Sequence, residues 1–196
     1  MKSPILLSVL IPSIPRRIEK LTFLIECLER QDHPQLEVIV MLDNCRRSLG
    51  EKRNAMMREA HGKFCAHIDD DEMLSSNYFE LLLPELQHDV DLVAYDATCS
   101  LNGSIPFRVN TGIGFENEQP KSIGENQYSD IKRTPWHWCC WRTELARTCP
   151  FPEHHDGAED AYFLNQILPK VATHRKLNKA IFHHRYDAKD TTFSTE

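Results

Sequence analysis

The chain has 196 residues, 41% hydrophobic and 27% charged, with a formal net charge of −6 at pH 7. That is enough chain for one domain with a substantial core, and the composition excludes a disordered segment while the charge excludes a protein that coats nucleic acid non-specifically. The seven cysteines, odd in number and without CxxC spacing, imply reduced thiols in a cytoplasmic setting.

Residues 5–11 read as a buried strand ended by Pro12. This run is far shorter than the roughly 20 apolar residues that span a bilayer, and it lacks the small-residue cleavage pattern of a secretory signal. Residues 16–31 carry Ile18, Leu21, Ile25 and Leu28 at helical spacing, with charged residues opposite. Residues 36–42 form a second strand, closed by Asp43 and Asn44. Ser48 and Glu51 have the spacing of a capping box and open a helix reaching to His61 and Gly62. A third strand, 64–68, runs into Asp69-Asp70-Asp71-Glu72. Ser75 or Ser76 is placed to cap the next helix, whose later part Pro84 interrupts. Residues 91–95 form a fourth strand. Strands separated by helices predict right-handed crossovers and a parallel sheet, hence an α/β class.

After Asp96 the pattern weakens. Residues 97–133 are rich in Gly, Asn, Ser and charge, and read as a functional loop or a small antiparallel flap. Residues 136–141, with Trp136, Trp138 and Trp141, read as a strand. A helix spans 158–168, and 180–186 is a last extended run containing His183 and His184.

The acid run carries the chemistry. Acids directly after a buried strand emerge at the carboxyl edge of a sheet, where open α/β sheets bind ligands. Alternation points Asp69 and Asp71 the same way. Two neighbouring carboxylates repel unless a cation or proton intervenes, and Mg²⁺ or Mn²⁺ takes such oxygens together with phosphate oxygens.

Three segments, Ser48-Leu49-Gly50-Glu51-Lys52-Arg53-Asn54, Ala60-His61-Gly62-Lys63-Phe64 and Ile68-Asp69-Asp70-Asp71-Glu72, resemble the nucleotide-sugar half of family 2 glycosyltransferases, which have the GT-A fold. Phe151-Pro152-Glu153 followed by Gly157-Ala158-Glu159-Asp160 resembles the same family's catalytic segment. The resemblance implies one GT-A domain over 1–196, with a nucleotide-sugar half (5–96), a variable loop or flap (97–133) and an acceptor and catalytic half (134–187). It further implies metal-dependent, inverting transfer of a sugar from a nucleoside-diphosphate sugar, UDP-sugar first, to a hydroxyl acceptor, with Mn²⁺ or Mg²⁺ as cofactor.

Residue by residue, the resemblance implies that Asp71 binds the metal, while Asp69 shares it or contacts the ribose. Asp70 falls in the same donor-binding run. Asp43 meets the nucleoside, Pro12 and Ser13 line the nucleobase, and Arg53 with Asn54 reaches phosphate or base. Asp160 is the base that takes the acceptor proton, with Glu159 orienting the acceptor or capping the helix. His184 is the preferred third metal ligand, with Arg185 as a phosphate neighbour, and Trp138 stacks on the acceptor. Lys52 is expected to be solvated. The chain departs from the family at Pro15, near where many relatives carry Asn after an aromatic residue.

The acceptor divides into two expectations. Most relatives build surface glycans. The chain also resembles compact phage-encoded enzymes, some of which glycosylate hydroxymethylated bases of their own DNA in the host cytoplasm, and Arg46, Arg47, Lys52, Lys121, Lys132 and Arg133 could flank such a groove. A reading of a different class is a non-catalytic nucleotide- or glycan-binding module of the same fold; the presence of both metal acids and a base argues for the enzyme.

Overall fold

In chain order, the computed structural model, which describes residues 4–154 and 157–188, comprises β1 (Leu7–Ser13), α1 (Ile18–Glu29), β2 (Leu36–Leu42), α2 (Leu49–Glu59), β3 (Phe64–His67), β4 (Met73–Leu74), α3 (Tyr78–Leu86), β5 (Leu92–Leu101), β6 (Phe107–Thr111), β7 (Ser122–Gly124), β8 (Gln127–Tyr128), β9 (Ile131–Arg133), β10 (Cys140–Arg142), α4 (Thr143–Arg147), α5 (Glu159–Ile167) and β11 (His174–Tyr186). The principal sheet has the order β2-β1-β3-β10-β5-β11-β4, with β6 and β9 attached beyond β5. β1 runs parallel to β2 and β3, and β5 parallel to β11. The short β10 is antiparallel to both β3 and β5, so the long strands all point one way. This is the α/β arrangement expected from the strand and helix alternation.

β1 is buried along its whole length, as its continuous apolar run requires. It passes through Pro12 to Ser13 instead of stopping. The Leu10 carbonyl accepts from Ile68 N (3.0 Å), and Pro12, of the same parity, faces the same side beyond the end of β3. A missing N–H there removes no ladder bond. At the sheet edge, β2 leaves Val38, Val40 and Leu42 exposed.

α2 starts as expected. Glu51 N donates to Ser48 Oγ (3.1 Å) and Ser48 N to Glu51 Oε2 (2.7 Å), closing the capping box. Residues 15–17 form a 3₁₀ turn before α1. Neither Ser75 nor Ser76 caps α3, whose first flanking residue is Asn77, and the helix continues through Pro84 because Tyr78, Phe79, Leu82 and Leu86 anchor it in the core.

Two further corrections fall in the second half. Much of 97–133 joins the sheet: β5 extends to Leu101, β6 pairs with β5, and β9 pairs with β6. The segment 136–139 is a turn, and only 140–142 is strand. The turn is fixed by Cys139 N and Trp141 Nε1, which both donate to the Trp136 carbonyl at 3.0 and 3.1 Å. No helix among the described residues is long and apolar enough to cross a membrane.

Candidate active site

The acids leave β3 into a cleft at the carboxyl ends of β1, β2 and β3. One part of the cleft, about 420 Å³, is lined by Pro12, Ser13, Cys45, Arg47, Lys52 and Asp69 among others. The other, about 660 Å³, is lined by Arg53, Asp69, Asp71, Asp160, His184 and Arg185 among others. Arg17, Leu49 and Asp69 border both parts.

Arg53 is the centre of the site. It sits on α2 with no exposed surface, and its guanidinium contacts Asp69 Oδ1 (2.9 Å) and Asp160 Oδ1, with Glu159 Oε1 at 3.6 Å. The Phe151 ring lies beneath it, 5.2 Å from the guanidinium carbon. Asp160 reaches Arg53 because the segment before α5 crosses directly over the start of α2. Gly50 makes room, since a Cβ there would collide with the Pro152 carbonyl. Asn54 then ties the crossing down: Asn54 Nδ2 donates to the Phe151 carbonyl, and Phe151 N donates to Asn54 Oδ1, both at 2.8 Å. Asn54, expected at the donor, is therefore a buried clamp.

Lys52 is likewise buried, contrary to the expectation of a solvated side chain. Its ammonium donates to the Ser13 carbonyl (2.9 Å) and lies 2.6 Å from Asp43 Oδ1. Asp43 also accepts from Cys45 N (3.1 Å) and Arg47 N (3.2 Å), so it organises the turn at the mouth of the smaller cavity. Cys45 stands in that turn at φ 62°, exposed.

The three aspartates of the run have different surroundings. Asp69 is held by Arg53; burial alone would raise its pKa, and the guanidinium overrides this and lowers it. Asp70 is 1% exposed, accepting from Ser13 Oγ (2.6 Å) and Arg17 Nη1 (2.8 Å). Burial pushes its carboxyl up to about 6 against both partners. It is bound to its own scaffold and also lines the smaller cavity. Asp71 lines the larger cavity and is paired with Arg17, with Lys20 at 4.0 Å. Arg185 Nε donates to the Asp71 carbonyl at 2.9 Å.

His184 is the histidine that faces the cleft, as preferred; His183 turns to Thr98 Oγ1 (2.7 Å) and Ser100 Oγ (3.2 Å). His184 Nδ1 is bound to Glu72, which raises the imidazole pKa although burial opposes it. Asp69, Asp71 and His184 thus share a cavity without converging, because each already has a partner. No cluster of three or more His, Cys, Asp or Glu side chains suited to a metal occurs among the described residues. What this donor set fits is an ion held by one or two carboxylates and completed by phosphate oxygens.

On the acceptor side, Trp138 is 3% exposed, its ring stacked on Phe182 (4.7 Å) and against His184 (5.8 Å). It offers no open face to an acceptor, which corrects that expectation. Glu159 is also buried, accepting from Gly157 N (2.8 Å) where the chain turns at φ 91°. Its carboxylate braces the turn that enters α5, and it also borders the larger cavity. Asp160 retains partial exposure; burial would raise its pKa, but Arg53 and then His137 hold it well below the carboxylate range. His137 had no expected role.

The fold has known counterparts. The chain superposes on S. aureus TarS 1-349 in complex with UDP-GlcNAc with a TM-score of 0.71 at 17% identity, covering 98% of this chain and 62% of that one. The same TarS segment in complex with UDP gives 0.64 at 18% identity, covering 95% and 62%. In sequence the chain is 23% identical over 142 residues to the minor teichoic acid biosynthesis protein GgaB of Bacillus subtilis (strain 168), 68% of this chain and 15% of that protein. No family model matches. The chain therefore spans less than two thirds of either relative, and what it shares with TarS is the fold, the GT-A arrangement that the motifs imply.

Proposed function

We propose that the protein is a glycosyltransferase that moves a sugar from a UDP-sugar to a hydroxyl acceptor. One observation carries this: Asp69, on the donor side, and Asp160, on the acceptor side, meet at a single buried guanidinium within one cleft. The fold is shared with a protein whose structure holds UDP-GlcNAc. The nucleoside occupies the smaller cavity, beside Pro12, Ser13 and the Asp43 turn, and the diphosphate and sugar extend past Asp69 into the larger one.

The acceptor hydroxyl attacks the anomeric carbon as the carbon–phosphate oxygen bond breaks. UDP leaves with the electron pair, and the hydroxyl proton passes to Asp160. Attack from the face opposite UDP inverts the anomeric centre. A carboxylate held low by Arg53 takes a proton poorly, so the donor has a second task. Its diphosphate competes for the Arg53 charge and raises the basicity of Asp160 once the donor is in place. Mg²⁺ or Mn²⁺ fits beside Asp71, with Asp69 near, and when bound neutralises the diphosphate as a Lewis acid. Arg17, Lys20 and Arg185 surround the same acid and supply further positive charge to the leaving group.

A glycan hydroxyl is the favoured acceptor. The basic residues that could flank a DNA groove do not gather: Lys52 is buried against Asp43, Arg46 and Arg47 border the smaller cavity beyond β2, and Lys132 and Arg133 lie on β9 at the far side of the sheet. Calorimetric titration of UDP and UDP-GlcNAc, with Mn²⁺ and with chelator, tests the donor and the metal. Binding that needs the ion and is lost in Asp71→Ala supports both; equal affinity in chelator removes the ion from the reading. Donor binding without transfer or donor hydrolysis would leave a binding module of this fold.

A further inference from the structure

His137 stands at the meeting of the two halves of the site. It is 5% exposed, and its two ring nitrogens face different carboxylates: Nδ1 is 3.2 Å from Asp160 Oδ2, and Nε2 is 3.8 Å from Asp69 Oδ2. Arg53 takes the other oxygen of each acid. Arg53, Asp160, His137 and Asp69 therefore form a closed ring, in which each carboxylate has the guanidinium on one oxygen and an imidazole nitrogen near the other.

The ring position of His137 is built by its neighbours. Its carbonyl accepts from His67 N (3.3 Å) at the end of β3, and the Trp136 carbonyl closes the turn through Cys139 N and Trp141 Nε1. Trp138 packs on the imidazole edge-on with centroids 5.4 Å apart, and its own ring is seated on Phe182. A histidine placed only to fill the core would face apolar groups; this one faces two acids. Nδ1, although buried and close to Asp160, lacks the alignment of a hydrogen bond. Such contacts at reacting centres commonly tighten when substrates bind.

We propose that His137 is a positioning residue: it fixes the Asp160 carboxylate through Nδ1, and through Nε2 couples that carboxylate to Asp69 on the donor side. The inference rests on the glycosyl-transfer reading and adds to it the group that registers base against donor. Arg53 alone leaves the Asp160 carboxylate free to pivot about one oxygen; His137 beside the second oxygen fixes its plane. Each oxygen keeps a lone pair for the acceptor hydroxyl. Misplacing a reacting group by about 1 Å costs roughly a hundredfold in rate.

Three substitutions separate this role from packing. Asn places a side-chain nitrogen near the position of imidazole Nδ1, Gln near that of Nε2, and Phe fills the space with no nitrogen. Hydrolysis of UDP-GlcNAc, with water as acceptor, and calorimetric affinity for the same compound are measured on wild type, His137→Asn, His137→Gln and His137→Phe, alongside melting temperature. Expected are a loss of roughly a hundredfold in kcat for His137→Phe with KM changed by less than about threefold, recovery of most of that loss in His137→Asn, and little recovery in His137→Gln. Near-normal kcat in His137→Phe, or equal rates in the Asn and Gln variants, would overturn the proposal.

If the wild type does not hydrolyse UDP-GlcNAc, the choice of donor is what fails. His137 is then judged from the imidazole ¹⁵N spectrum of the ligand-free protein. A His137 Nδ1 resonance that moves in Asp160→Asn supports the ring, and one that stays in place overturns it.

Discussion

Replacing Asp160 by Asn preserves size and most hydrogen bonding but removes the capacity to take a proton at neutral pH. The expected result is UDP-sugar affinity no weaker than wild type, because Asp160 no longer competes with the diphosphate for Arg53, with transfer reduced by at least about a hundredfold. If the carboxylate served only the start of α5, the variant would lose roughly 0.3–1 kcal/mol of stability and keep its turnover. Donor affinity, melting temperature and turnover measured on one preparation distinguish the two. At this scale the acids Asp43, Asp69, Asp71 and Asp160 were legible in the sequence, since each follows a strand or opens a helix. The buried partners were not. Helical spacing places Lys52, Arg53 and Asn54 in succession on α2, but says nothing of the Phe151–Pro152 segment, about a hundred residues on, that meets Arg53 and Asn54, or of Ser13 and Asp43, which hold Lys52. His137 gave no separate signal because it lay between two tryptophans whose bulk dominated the reading of that stretch.

At the scale of elements, strands with continuous apolar runs and a helix with a capping box were recoverable because their signals are local. The region after Asp96 was not, because β6 and β9 are short and become strands by pairing, β6 with β5 and β9 with β6, rather than by their own propensity. This narrows the expectation of a functional loop or flap over 97–133. β6 and β9 belong to the rigid sheet, which leaves residues 112–128, with the β7–β8 hairpin, as the part that can respond to ligand. Hydrogen exchange should be slow in β6 and β9 without ligand, and any slowing on adding UDP-sugar and Mn²⁺ should fall within 112–128. Slowing confined to β6 would move the responsive element into the sheet, and none anywhere in 97–133 would remove the flap.

For the whole molecule, the join between the early strands and the last strand is secured by charge as well as by pairing. Asp96, 1% exposed on β5, accepts from Arg108 Nη2 on β6 and from Thr111 N (2.9 Å), and lies 2.9 Å from Lys176 Nζ on β11. Burial alone would raise its pKa, but Arg108, Thr111 and Lys176 together lower it. A carboxyl with a folded pKa below its unfolded value of about 3.9 adds stability that is fully present above that value. The contribution is lost as pH falls through the folded pKa. Asp96→Asn should therefore cost about 1.5–3 kcal/mol near neutral pH, with the gap from wild type closing in strong acid. A gap independent of pH would mean that Asp96 acts through shape alone.

The seven cysteines also have a use in the laboratory. Cys65, Cys99, Cys139, Cys140 and Cys149 are buried, and burial pushes the first three up to about 12. Cys45 is the exposed thiol, and it borders the smaller cavity. A maleimide dye offered briefly to the native protein should attach first at Cys45, leaving a fluorophore at the mouth of the proposed nucleoside pocket without any engineered change. Nucleotide arrival could then be followed by fluorescence in real time, and prior addition of UDP should slow the labelling itself.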